Sequence, residues 1–438
     1  MNAGRIQRIK YTGSLALAIV SLPFSIMICH IALIIFGVVW IVEGQWKEKW
    51  ETILKNPVVV IFVLFFLLNL LGVIYSTDQR IGWFNLEKKI SLVALPVMLA
   101  SIQLRKEDVR KLLHVFIITC IAATFICLWM ASRKAYAASP TLNFDSYSNA
   151  TFYSLHPNVS TIWMFISYVE LASGIGIHPT YFSLYLVFCV FLLIHFYAES
   201  FITLTVVKKT ILLSLFGYLS IFILLLSSRI MVFAFFSISL YGLKKFLKST
   251  PRSIYWASSL ACILLFSGML YLNPVSRFRG YQEIVTTYPY LKSGLQTQST
   301  TIRASLWSVG IKSLPEINWL WGVGTGDVNH LISETSKRSN ITNVLGTNDP
   351  HNQYLQTLLG LGVLGLSTLI ICFAWPAYTS YQTGDFLYLG FIFLFAILCI
   401  TETALELQKG IVFYSLFGSL ILFQYNPDQL VSINKATV

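Results

Sequence analysis

Apolar runs parted by short polar breaks repeat along the whole chain, and each has about the ~20 residues a bilayer core requires or somewhat fewer. The first, about 12–42, is long enough for two helices, with Pro23 marking the turn between them. Further runs lie at about 57–75, 90–104, 112–131, 179–198, 210–226, 230–243, 254–272, 353–376, 386–401 and 410–425. That predicts an all-α polytopic membrane protein of about 12 transmembrane helices. Two polar stretches interrupt the series, 132–178 and the larger 273–352. The chain therefore divides into spans 1–9 (1–272), a large helical loop (273–352), and spans 10–12 with a tail (353–438).

Composition agrees with the pattern. Hydrophobic residues make up 56% of the chain, charged ones 11%, and mean hydropathy is +0.69. A net charge of +12 in such a chain marks the cytoplasmic ends of spans and excludes nucleic-acid binding. With the N-terminus inside, sixteen basic residues fall on the cytoplasmic side up to span 9, from Arg5 and Arg8 to Lys248 and Arg252. The short opposite loops at 77–89 and 402–409 hold four. Both termini are then cytoplasmic, and the 132–178 and 273–352 loops lie outside. Arg5, Arg8 and Lys10 precede an apolar run as in a signal peptide, but no small-residue cleavage site follows, so the run reads as a first span. The seven cysteines all fall in apolar segments, with no disulfide framework and no metal spacing.

Candidate chemistry gathers between Ser299 and Pro376. Arg303 and Trp307 stand at i, i+4 and share a helix face. A Gly322-Val323-Gly324-Thr325-Gly326 run follows, able to turn tightly and expose backbone N–H groups. Asn348-Asp349-Pro350-His351 then opens an apolar helix, with Asp349 as expected N-cap and His351 in the first turn, where the macrodipole supplies about half a positive charge. An arginine, a glycine turn and a histidine at a helix N-terminus suit a phosphate-bearing ligand. Arg229, in LLLSSRIMVFAFF, sits where spans 7 and 8 meet with almost no loop. It reads either as a cation snorkelling to the interface or as a fixed partner for an anionic headgroup, which its planar fork suits.

SSR at a span junction, TTIRASLW, WGVGTGD and HNQYLQTLLGLGVLGL closely resemble the bacterial O-antigen ligase and O-antigen polymerase superfamily. NLEKKISLVALP, HPTYFSLYL and TETALELQKGIVFYSLFGS look like further recurring segments of it. The resemblance implies an inner-membrane glycosyltransferase that takes a glycan from undecaprenyl diphosphate at the periplasmic face, inverts the anomeric centre and needs neither metal nor cofactor. The acceptor is the sugar of lipid A–core in the ligases and a second lipid-linked repeat unit in the polymerases, and both readings stay open. The family's two arginines match Arg229 and Arg303, and its histidine matches His351.

Those residue types suit that reaction. Arginines aimed at a departing diphosphate stabilise the charge that grows in the transition state. His351 is the expected base for the acceptor hydroxyl, held neutral by the helix N-terminus, or else a hydrogen-bond donor to phosphate. Substrate-contact candidates are Trp307, Asn352, the outer lysines Lys88 and Lys89, His178 and Tyr181 at the start of span 6, and Glu402, which with Glu406 ends span 11 and is placed to orient an arginine. Tyr288, Tyr290, Trp319 and Trp321 suit stacking on sugar rings or packing onto the membrane. A lipid-linked oligosaccharide flippase or other transporter is the remoter alternative. It would call for two related halves and charges within the spans, whereas the chain shows no matching halves and almost no charge in the span interiors.

Overall fold

The computed structural model describes residues 2–137, 162–247, 251–277, 299–339, 341 and 349–425. The fold is all-α, and among the described residues there is no strand, only an isolated bridge between Asn318 and Gly322. Two compact units are present. One comprises the described residues of Met1–Ala18, Ile26–Leu112 and Thr287–Val438, and the other those of Ile19–Ser25 and Leu113–Thr286.

Among the described residues, six helices are long and apolar enough to cross a membrane: Ile26–Glu43, Pro57–Ile74, Lys106–Ala137, Pro179–Tyr197, Val206–Leu226 and Gln353–Gln382. The chain is a multi-pass membrane protein. Phe386–Thr401 is apolar but shorter. The run at 90–104 holds only the ten-residue helix Ser91–Ala100, about 15 Å long, half of a ~30 Å core. It continues almost directly from the Gln79–Lys89 helix through Ile90, which keeps helical angles.

In the first unit, Pro57–Ile74 packs along Gln353–Gln382, and Gln408–Ser419 along Ser91–Ala100. Local signals start these helices: Asn56 caps Val58 and Val59 with Pro57 at the first position, and Asp385 caps Leu387 and Tyr388. An aromatic stack ties three of the helices together. Tyr414 lies on Phe395 with centroids 4.5 Å apart and donates to the Cys372 carbonyl.

The described part of the large loop builds its own small core. In Val328–Arg338, Val328, Leu331, Ile332, Thr335 and Ser336 are buried, the one-face spacing of an amphipathic helix. Val328, Leu331 and Ile332 meet Leu306 and Val309 of the Ser299–Ser313 helix, with Ile317, and Leu359 of Gln353–Gln382, in the same cluster. Burying each of these aliphatic chains contributes roughly 1.5–3 kcal/mol. The contact is close: a Cβ on Gly310 would come 2.5 Å from Leu355.

In the second unit, Pro179–Tyr197 is buried on every side from Pro179 to Ile194, flanked by Val206–Leu226 and Arg229–Phe246.

Candidate active site

Three helices of the first unit deliver a connected set of polar side chains. Arg303 comes from Ser299–Ser313, His351 from the chain just before Gln353–Gln382, and Glu402 from the end of Phe386–Thr401. Arg303 Nη2 donates to Glu402 Oε1 at 2.5 Å. His351 Nδ1 lies 3.5 Å from the other carboxylate oxygen, Oε2, and 3.7 Å from Asp349 Oδ1. Trp307 Nε1 donates to the His351 carbonyl at 3.4 Å, so the i, i+4 pair Arg303 and Trp307 grips both neighbours of the site. Glu402 is 3% exposed, whereas the Arg303 and His351 side chains keep 26% and 30% of their surface. The carboxylate is thus the buried pivot, and the two groups it holds reach solvent.

Each position has a local cause. The Phe386–Thr401 helix stops at Thr401, and Glu402 takes extended angles (φ −142, ψ 145), which removes its carboxylate from the helix. The turn that follows is pinned by Gln353, whose Oε1 accepts from Leu405 N at 2.7 Å. Tyr354 donates to the Ala396 carbonyl at 2.9 Å and joins the same two helices. Asn352, not Asp349, caps Gln353–Gln382: its side chain accepts from Leu355 N at 3.0 Å. Asp349 instead accepts from His351 N at 2.7 Å. His351 therefore precedes the helix, at φ +45, a left-handed conformation costing a non-glycine residue roughly 1 kcal/mol or more.

This placement overturns the expectation that the helix dipole keeps His351 below its ordinary pKa. Burial is the largest influence and pulls the pKa down, as does Arg303. The contact with Glu402, the charge of Asp349 and the charge of Glu402 together outweigh them, and the net direction is up. A proton on Nδ1, directed at Glu402, leaves Nε2 as the available base.

The glycine run is not an anion cradle. Its N–H groups are spent within the protein: Gly322 N on Asn318 O, Val323 N on Leu359 O, Gly324 N on Gly360 O, Thr325 N on Gly72 O and Gly326 N on the Ser76 hydroxyl. The glycines are there because backbones nearly touch. A Cβ at Gly322 would fall 2.4 Å from Gly360 C, and one at Gly326 would fall 2.1 Å from Asp78 O. The run wedges the loop against Pro57–Ile74 and Gln353–Gln382, and so sets where Arg303 stands.

The other candidates scatter. Lys89 is buried and bound to Glu406 at 2.7 and 2.9 Å, so its charge is already neutralised. Lys88 donates to Asn85 at 2.9 Å and lies over the Phe84 ring. Glu402 and Glu406 do not share a helix side, because the helix ends at Thr401 and the two carboxylates go to different cations. In the second unit, His178 caps its helix through Nδ1 onto Thr180 N, and Tyr181, edge-on to it, is buried within the unit. Arg229 is half-buried and opens Arg229–Phe246 after Ser227 (φ +51) and the cap Ser228. A cation there opposes the helix dipole, so helix stability does not explain it. Trp319 and Trp321 are exposed, and Asn348, Tyr288 and Tyr290 lie outside the described residues. Sequence reasoning missed Gln353 and the role of Asp349. The one available signal was a polar pair abutting the long apolar helix.

Residues 213–370, which include Arg229, Arg303 and His351 but not Glu402, match the family described as O-antigen ligase. No curated protein matches this chain.

Proposed function

We propose, from the match of residues 213–370 to the O-antigen ligase family, a ligase that transfers a glycan from undecaprenyl diphosphate to a hydroxyl of lipid A–core. The observation that carries the reading is the Arg303–Glu402–His351 chain, with a buried carboxylate holding a guanidinium and an imidazole that both reach solvent. The acceptor oxygen attacks the anomeric carbon as the carbon–oxygen bond to the diphosphate breaks, which inverts the centre. The electron pair leaves on the diphosphate, where Arg303 donates. The acceptor proton passes to Nε2 of His351, and Glu402 fixes the tautomer and stabilises the imidazolium formed. Trp307 and Asn352 hold His351 and its helix in register.

The chain takes twelve crossings of the inner membrane with both termini cytoplasmic and this site on the periplasmic side, and the reaction needs no metal. Purified protein in liposomes, given undecaprenyl-diphosphate-linked glycan and lipid A–core, should yield glycosylated core, undiminished by EDTA. Longer glycan still on undecaprenyl diphosphate, with the core unmodified, would assign it to the polymerases instead.

A further inference from the structure

Trp319, Leu320 and Trp321 form the tip of a turn and are 56%, 48% and 45% exposed. Three consecutive large apolar side chains in water are costly, and yet the backbone beneath them is fastened at every point. Asn318 closes the turn, with its carbonyl accepting from Gly322 N at 2.7 Å and its Oδ1 from Leu320 N and Trp321 N. The Gln353–Gln382 helix is broken at Gly362 (φ 63, ψ −161), and Val363 N and Leu364 N, released by the break, donate to the carbonyls of Trp319 and Leu320. A Cβ at Gly362 would lie 2.4 Å from the Leu320 carbonyl carbon, so the break is shaped to admit this turn. Tyr75, which caps Pro57–Ile74, donates to the Trp321 carbonyl.

The tip therefore stands at the end of one membrane-length helix and against a second. Its apolar surface runs into theirs: Leu71, Ile74 and Tyr75 on the first, Val363 and Ile370 on the second, are all exposed. Directly after the first helix, Ile81, Trp83 and Phe84 are exposed as well. Tryptophan and tyrosine at the end of a span are the side chains that seat at the boundary of headgroup and acyl chain.

We propose that the Asn318–Trp321 turn is a lipid anchor, inserting Trp319, Leu320 and Trp321 into the acyl–headgroup boundary of one leaflet. It clamps the large loop to the membrane and sets the height of Arg303, His351 and Glu402. The helix runs nine residues from Gly362 back to Gln353, which at ~1.5 Å per residue holds those side chains ~13 Å off the anchor level. That height brings them above the acyl chains, where the head of a membrane lipid carries its charge. Sugar stacking is the lesser reading, since Leu320 between the two rings offers nothing to a glycan.

The test is a nitroxide at Leu320→Cys in a background freed of native cysteines, in phosphatidylethanolamine–phosphatidylglycerol vesicles, with collisions measured against oxygen and a water-soluble nickel chelate. Ile370→Cys and Lys337→Cys serve as lipid and water references, and Trp319→Cys repeats the measurement should Leu320→Cys fold poorly. Oxygen should dominate at 320 as at 370. Nickel dominating as at 337, or nickel access falling only when soluble glycan is added, would overturn the anchor. The readout requires no turnover, so it stands or falls apart from the transferase reading.

Discussion

Replacing Glu402 by glutamine keeps the shape of the pivot and removes its charge, which separates what the carboxylate does for His351 from simple packing. In the wild type, Oε2 is 3.5 Å from His351 Nδ1 and Oε1 is 2.5 Å from Arg303. An opposite charge this close raises the pKa of an imidazole, and Asp349 remains at 3.7 Å, so part of the elevation survives the substitution. His351 is raised above its ordinary ~6.5, so the wild-type rate should decline on acidification through a midpoint above that value. In Glu402→Gln the midpoint should move down. The plateau rate should also fall, by ~10²-fold or more, because the amide can donate to Nδ1 and put the proton on the wrong nitrogen. The assay is glycan transfer in proteoliposomes from pH 5 to 8, with donor binding followed separately. An unchanged plateau and an unmoved midpoint, at normal protein levels, would refute the role given to Glu402. A midpoint that moves upward would refute the electrostatics. Folding stability should show the opposite trend, with the contribution of His351 complete below ~6.5 and lost as pH rises through its raised value.

His351→Ala should lower turnover far more than donor affinity, and loss of affinity that accounts for the whole deficit would make the histidine a phosphate binder. Arg303→Lys keeps the charge but not the fork, so turnover should fall by ~10²-fold; full activity would mean the diphosphate is held elsewhere. Lys89→Ala should destabilise the fold by roughly 3–5 kcal/mol, while Lys89→Met with Glu406→Gln restores melting temperature and activity; an active-site role for Lys89 predicts a stable but dead double variant. Gly324→Ala, whose methyl would sit 2.3 Å from the Ser76 hydroxyl at φ +100, should cost roughly 2–4 kcal/mol in thermal unfolding, and a stable variant with weakened donor binding would return the anion-cradle reading.

The local pattern of apolar residues was enough to determine that this is an all-helical membrane protein, where most of its helices run, and that Arg303 and Trp307 share a face. Those properties depend on neighbours three or four residues away. The glycine turn was equally legible, but not its purpose, because its N–H groups find Gly72, Ser76, Leu359 and Gly360 only once distant helices meet. The start of the Gln353–Gln382 helix shows the same limit at short range. Asp349 and Asn352 both offer capping oxygens, and the bond from Leu355 N selects the second, which takes His351 out of the helix dipole. Glu402 is the sharpest case. It lies 99 positions from Arg303 in the chain, and its contact with the imidazole, together with the charges of Asp349 and Glu402, rather than the helix sets the direction of the His351 pKa. Charge interactions fall off with distance in space, and no periodicity in sequence records that distance.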